Sequence, residues 1–392
     1  MVKSKNSQTV SVPLPRMRVL HIYSGNLYGG IETLLVTLAK DQSLCPPMQL
    51  EFCLCFDGRL HRELDGLAKT YLLNPVRLRK PWSAIAARLK LARLLRQEHF
   101  DVVICHSAWC QSIFGPIVTK AGVPLVFSLH DSTDGRHWLE RLASRVKPKL
   151  ILANSFFTTA TAHRVYPGIP TKVIYWPVSP CSLISESERN KVRSELEVKD
   201  GEAVIIQVSR MERWKGHLLH LEALSKLRHK PGWVCWMVGG SQRPHEREYF
   251  ASIQRRAAEL GLAERIRFLG QRTDVSRLLA AADIHCQPNL SPEPFGRTFI
   301  EALLAGLPVV TTKMGAALEI VNSSCGVLVD PCDAGALAEA LSGLIDDPDR
   351  RKRQAKDSVA RATALCDPKT QLHVFAETLA CILPGPVLNS LS

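Results

Sequence analysis

With 392 residues, 46% apolar and 22% charged, the chain has room for two domains of ordinary globular composition. That balance excludes collagen-like, coiled-coil and low-complexity chains, and no apolar run approaches the roughly 18 residues that span a bilayer. The formal net charge of +13 favours anionic partners (nucleotide phosphates, anionic lipid head groups or nucleic acid) without choosing among them.

The opening "MVKSKNSQTVSVPLPR" (1–16) is polar and lacks an apolar h-region. A tail is expected there, and no signal peptide. "MRVLHIY" (17–23) reads as a strand, "SGNLYGG" as a loop and "IETLLVTLAKD" as a helix. Gly25, Gly29 and Gly30 fall between strand and helix. Gly-Gly at a helix start lets a phosphate or substrate approach the backbone, although a plain tight turn would read the same way. The loop is not G-x-G-x-x-G, so it gives little support to a dinucleotide site.

Further strands are expected at "QLEFCLC" (49–55), "DVVICH" (101–106), "PLVFSLH" (124–130) and "KLILAN" (149–154), with helices between them. His106 and His130 end two of these strands and are expected to face a cleft. His130 is the stronger candidate, as a hydrogen-bond partner for a sugar hydroxyl or a positioner of the acceptor. "KPWSAIAARLKLARLLRQ" (80–97) spaces Trp82, Ile85, Leu89 and Ala92 on one helical face, with Arg88, Lys90, Arg93 and Arg96 elsewhere. "RHWLERLASRVKPK" (136–149) is similar. Such helices suit an anionic membrane surface, or else pack the apolar face on their own sheet and leave the basic face in water.

A Pro- and Ser-rich stretch at about 176–186 is expected to link two halves. A second strand series follows at 202–210, 232–240, 265–270, 282–288, 307–312 and 326–330. Each half is then a doubly wound, Rossmann-like parallel-sheet domain, with a ligand where the carboxyl strand ends face each other. The expected divisions are 17–178, 179–367 and a C-terminal helical segment 368–392.

Two stretches of the second half carry chemistry. In "SRMERWKGH", Arg210 ends the first strand and Lys215 follows five residues later. Two cations at a sheet mouth suit a diphosphate and the charge on a leaving nucleotide. In "SPEPFGRTFIEALLAGLPVV", Pro292 and Pro294 keep Glu293 extended, and a helix is expected from Arg297 to about Ala305. The amides of Phe295, Gly296 and Arg297 would then face an anion. Glu301 lies one turn into that helix and leans back towards its start. A nucleotide-sugar fits: diphosphate on the amides, ribose at Glu301, sugar at Glu293.

Twelve cysteines lie mostly in apolar runs without C-x-x-C, which suits buried reduced thiols. The only D-x-D, Asp347-Pro348-Asp349, reads as a turn and helix cap. His217 and His220 lack clustered ligands, so no metal is expected.

In combination, "SRMERWKGH", "VGG", "FLGQRTD", "PEPFGRTFIEALLAGLPVVTT" and "YGGIETLL" resemble the GT-B glycosyltransferases of family 4. The resemblance implies a metal-independent, retaining transferase that uses a nucleotide-activated sugar (UDP-, GDP- or ADP-linked) and no cofactor. It assigns catalytic roles to His130, Glu293, Arg210 and Lys215. Donor binding falls to Gly29, Gly30, Arg210, Lys215, Phe295, Gly296, Arg297, Thr298 and Glu301. It also implies that the last helix crosses back to the first domain. One departure stands out: where relatives often carry Gly-Gly and then a glutamate, this chain has "KMGAALEI", with Gly315, Ala316 and Glu319. The acceptor expected is a glycan or glycolipid, the location cytoplasmic or peripheral on the inner membrane face. A nucleotide-sugar 2-epimerase shares the architecture. A basic nucleic-acid-binding protein is the non-enzymatic alternative, but it leaves the cation–carboxylate constellation unexplained.

Overall fold

A computed structural model describes residues 14–383 except 27, 78, 181–183 and 242. The first thirteen residues of the expected tail, and the end of the C-terminal segment from 384, lie outside the described residues. The strand runs assemble into two sheets, all of whose pairings are parallel. The first holds β1 (Met17–Tyr23), β2 (Met48–Leu54), β3 (Thr70–Leu72), β4 (Val102–His106), β5 (Leu125–Leu129), β6 (Leu150–Ala153) and β7 (Thr171–Val173), in the order β3-β2-β1-β4-β5-β6-β7. The second holds β8 (Ala203–Val208), β9 (Trp233–Val238), β10 (Ile266–Gly270), β11 (Ile284–Gln287), β12 (Val309–Thr312) and β13 (Gly326–Val329), in the order β10-β9-β8-β11-β12-β13. Both orders reverse beside the first strand of the sheet, which places the switch points at β1/β4 and β8/β11.

Runs such as "VVICH" and "AVIIQV" are buried along their whole length, as helices on both faces of a parallel sheet require. The edge strands β3 and β7 had no signal in the sequence, because three residues are too few to show a period.

One apolar cluster continues from the first sheet into the second half. Its bridge includes part of the stretch expected as a linker: Trp176 and Val178 are each only 2% exposed. Val178 N donates to Cys366 O at 3.2 Å. The helix Pro368–Ala380 lays Phe375 against Trp176 and His21, with ring centroids 5.6 and 6.1 Å apart. Burying Phe375, Leu372 and Leu379 stabilises this junction by about 2 kcal/mol each.

The helix Pro81–Gln97 turns its faces the opposite way from a helix that buries its apolar stripe. Ala87 and Leu91 face inward, while Trp82, Ile85 and Leu89 are 67%, 56% and 64% exposed. Among the described residues nine cysteines are buried, two are exposed and none is in a disulfide. No helix among them is long and apolar enough to cross a membrane.

Candidate active site

Several contacts between the two lobes come from segments that follow strand carboxyl ends. Ser155, after β6, donates from Oγ to Pro294 O, after β11, at 2.6 Å. Phe156 and Phe157 donate their amides to Glu319, after β12. The carboxyl ends of both sheets therefore meet across one cleft.

Lys215 ends the single 3-10 turn Arg213–Lys215 that follows β8. Gly216 next to it has φ +71°, and a Cβ there would stand 1.7 Å from Pro288 O, so this close crossing of the loops after β8 and β11 needs glycine. Gln207 Nε2 donates to Lys215 O at 2.9 Å, and Leu290 N to Trp214 O at 2.7 Å. His220 holds Gln207, and His217 holds Ser209. These two histidines belong to the polar layer beneath the loop.

That scaffold brings Lys215 to Glu293. Lys215 Nζ donates to Glu293 Oε2 at 2.8 Å, with the side chains only 13% and 10% exposed. Asn289 Nδ2 reaches the same oxygen at 2.8 Å and Gln287 Nε2 at 3.3 Å. A buried pair of this kind is tolerated because every charge has charge-assisted partners.

The following helix runs Arg297–Leu304 from an N-cap at Gly296, whose φ is +79°. A Cβ on Gly296 would meet the Phe299 ring at 2.6 Å. Phe295 is buried, and Thr298 Oγ1 lies 3.4 Å from Gln287 Oε1. Glu301 is held by Arg297 of its own helix, Nε to Oε1 at 2.8 Å, and Arg297 also reaches Thr37 of the other lobe at 3.4 Å.

Arg210 pairs with Glu212 at 3.0 Å rather than with the Lys215–Glu293 pair, and its side chain is 41% exposed. Its charge reaches Glu32, in the first turn of the helix Gly30–Asp41. Burial raises the Glu32 carboxyl, while backbone amides and Arg210 partly offset that. Gly29 caps the helix in extended backbone. Neither Gly29 nor Gly30 is required by a left-handed angle, and a Cβ on Gly30 would meet nothing within 4 Å.

The histidines differ from expectation. His106 does not face the cleft: it is wholly buried, as is His21. Nδ1 of His21 lies 2.8 Å from Nε2 of His106, and Nδ1 of His106 lies 2.8 Å from Nε2 of His130. The three rings stack at 5.1 Å spacing and end against Trp176. Only half-buried His130 opens outward. Burial pulls it down to about 3, so it is neutral at ordinary pH.

Asp131, the residue after His130, had not been singled out. Its side chain is open to solvent yet walled by protein. That desolvation raises its carboxyl; the charge of Glu293 adds to the effect and that of Lys215 opposes it. Gln287, Asn289 and Ser155 were also missed. Their only signal was their place at or just after strand ends.

Two Rossmann-like lobes that face each other across a cation–carboxylate site define a GT-B glycosyltransferase. The model of the Glycosyl transferases group 1 family matches residues 188–360, and that of Glycosyltransferase Family 4 matches residues 28–180. The chain belongs to the family 4 glycosyltransferases. It is 25% identical to the lipopolysaccharide core biosynthesis mannosyltransferase LpsB of Rhizobium meliloti, over 61% of this chain and 67% of that protein. It is 26% identical to the GDP-mannose-dependent alpha-(1-6)-phosphatidylinositol monomannoside mannosyltransferase of Mycolicibacterium smegmatis, over 71% of this chain and 75% of that one. Anabaena HepE, solved in complex with UDP-glucose, matches with a TM-score of 0.82 and 27% identity, over 93% of this chain and 100% of that chain.

Proposed function

We propose that the protein is a retaining, metal-independent glycosyltransferase that moves a sugar from a nucleotide-sugar to a hydroxyl of a glycan or glycolipid. The observation that carries this reading is the buried Lys215–Glu293 pair beside the helix start at Gly296. The donor's diphosphate takes Lys215, Arg210 and the helix-start amides, and its ribose takes Glu301. Glu293 then faces the sugar. The anomeric carbon–phosphate oxygen bond breaks as the bond to the acceptor oxygen forms on the same face. The acceptor proton passes to the departing phosphate. Cations fixed before the reaction stabilise the charge that develops on the leaving group. His130, a neutral hydrogen-bonding group, holds a sugar or acceptor hydroxyl. A relative whose name specifies GDP-mannose, and a neighbour solved with UDP-glucose, support a nucleotide-sugar donor.

A donor screen tests this. UDP-, GDP- and ADP-sugars are each added with and without EDTA, and nucleotide release and thermal shift are recorded. One donor should raise the melting temperature and release nucleotide at a rate that EDTA leaves unchanged, with the product keeping the donor's anomeric configuration. Inversion, or loss of turnover with EDTA, would refute the corresponding part.

The reading places the enzyme in the cytoplasm, peripheral on the inner face of the membrane. The support is the outward stripe Trp82–Ile85–Leu89, with Lys90 and Arg93 exposed on the same helix, Lys80 exposed at its N-cap, and Trp138 55% exposed nearby in sequence to Arg136 and Arg141. Vesicles containing phosphatidylglycerol should bind the protein, and purely zwitterionic ones should not. Trp82→Ser with Leu89→Ser should weaken binding by up to about a thousandfold, given about 2 kcal/mol per buried side chain. Equal binding to both vesicle types would remove the membrane assignment and leave the transferase reading intact.

A further inference from the structure

Building on the transferase reading, we infer that Glu319 is a positioning residue that ties the placement of Glu293 to the approach of the two lobes. The Glu319 carboxylate belongs to the second lobe, yet all its hydrogen bonds described here come from the first. Phe156 N donates to Oε2 at 2.9 Å, Phe157 N to Oε1 at 2.7 Å and Tyr175 Oη to Oε2 at 2.7 Å. Amides at a helix start have no partner within the helix, and a carboxylate is the acceptor that suits them best. The N-cap of the same helix, Ser155, donates to Pro294 O at 2.6 Å, one residue from Glu293. One helix start of the first lobe therefore holds two separate loops of the second.

Those loops are locked together. Ala316 N donates to Glu293 O at 2.8 Å. Gly315 has φ +60°, and a Cβ there would stand 2.4 Å from Glu293 O and 2.7 Å from Glu293 N. Arg361 fixes the far end by donating to Glu319 O and to Ile320 O. The segment 315–319 is thus a short rigid lever, with Glu293 at one end and the opposite lobe at the other. The departure from Gly-Gly leaves the lever intact: Ala316 has φ −66° and is wholly buried, so that position needs no glycine. When the lobes part, three charge-assisted bonds at Glu319 and one at Pro294 break together. The backbone that aims Glu293 at the sugar then loses its support.

The test uses Glu319→Gln and Tyr175→Phe in the full chain. Without any donor, hydrogen–deuterium exchange should be at least about tenfold faster in Glu319→Gln at both 155–158 and 291–296, with β8 and β9 unchanged. With the donor found in the screen, kcat should fall about tenfold while donor KM stays within about twofold, because the proposed grips on the donor (Arg210, Lys215 and Glu301) all lie in the second lobe. Tyr175→Phe removes one bond of three and should show the same pattern more weakly, which keeps the test open if Glu319→Gln does not fold. Faster exchange at 155–158 alone, or an unchanged kcat, overturns the inference and makes Glu319 an ordinary helix cap. If the parent turns over no nucleotide-sugar, the transferase reading fails, and the exchange measurement still decides whether the two segments are coupled.

Discussion

Lys215→Ala should abolish the melting-temperature shift caused by the donor and lower turnover by about a thousandfold, the scale seen when a fixed charge aimed at a developing anion is removed. The same change should destabilise the protein with no donor present, by about 3 kcal/mol. It leaves the Glu293 carboxylate, only 10% exposed, without its cation. Asn289 and Gln287 still donate to that carboxylate, so the chain should fold. The two effects separate in a second variant. Lys215→Met combined with Glu293→Gln removes both charges, and should recover most of the lost stability while remaining blind to donor. Urea titration measures the first quantity and nucleotide release the second. A Lys215→Ala protein that still responds to donor would show that the diphosphate sits elsewhere.

The second large effect is acid unfolding in a window set by histidine rather than by carboxylates. Burial pulls His21, His130, His217, His220 and His285 down to about 3, and His106 well below the usual range. Above pH ~6.5 all six are neutral in both folded and unfolded chains, and their contribution is fully present. Below it the unfolded chain binds protons that the folded one refuses, so stability is lost as pH falls towards 3. Each such histidine contributes up to about 1.4 kcal/mol per pH unit. Six together should give a steep transition between pH 6 and 4. Salt-bridged carboxylates such as Glu98, held down to about 2, add to the loss only at lower pH. Denaturant midpoints measured from pH 8 to pH 5 should fall accordingly. His285→Phe should remove about a sixth of the slope, because that ring is buried edge-on against Phe299 at 5.8 Å. A flat profile down to pH 5 would mean that these histidines charge in place.

Much of the architecture was legible because its signals are local. Eleven of the thirteen strands announced themselves as apolar runs bounded by turn residues, and the helix at Arg297 by its flanking Pro294 and Gly296. The chemistry of Lys215 and Glu293 could be guessed from position after strand ends, and the structure puts the two in direct contact. The sequence does not show which partners a charge takes. Arg210 and Lys215 look equivalent five residues apart, yet one pairs with Glu212 on the surface and the other is buried. Nor does it show that His106 is sealed: both His106 and His130 end predicted strands, and His106 lies buried between His21 and His130. Asp131, missed altogether, and Glu319, noted only as part of a departure from the family pattern, matter through neighbours distant in sequence, such as Phe156 and Phe157 for Glu319. Periodicity carries no trace of that kind of pairing.

Phe375 and its helix complete a surface whose other side is Trp176 and His21. On a ribosome, the first lobe emerges some two hundred residues ahead of the piece that covers this surface. Until residues 368–380 are released, Trp176 and His21 lack the Phe375 ring that packs on them. Nascent chains of this protein should therefore hold their earliest domain in an unfinished, chaperone-recognisable form until that helix has emerged.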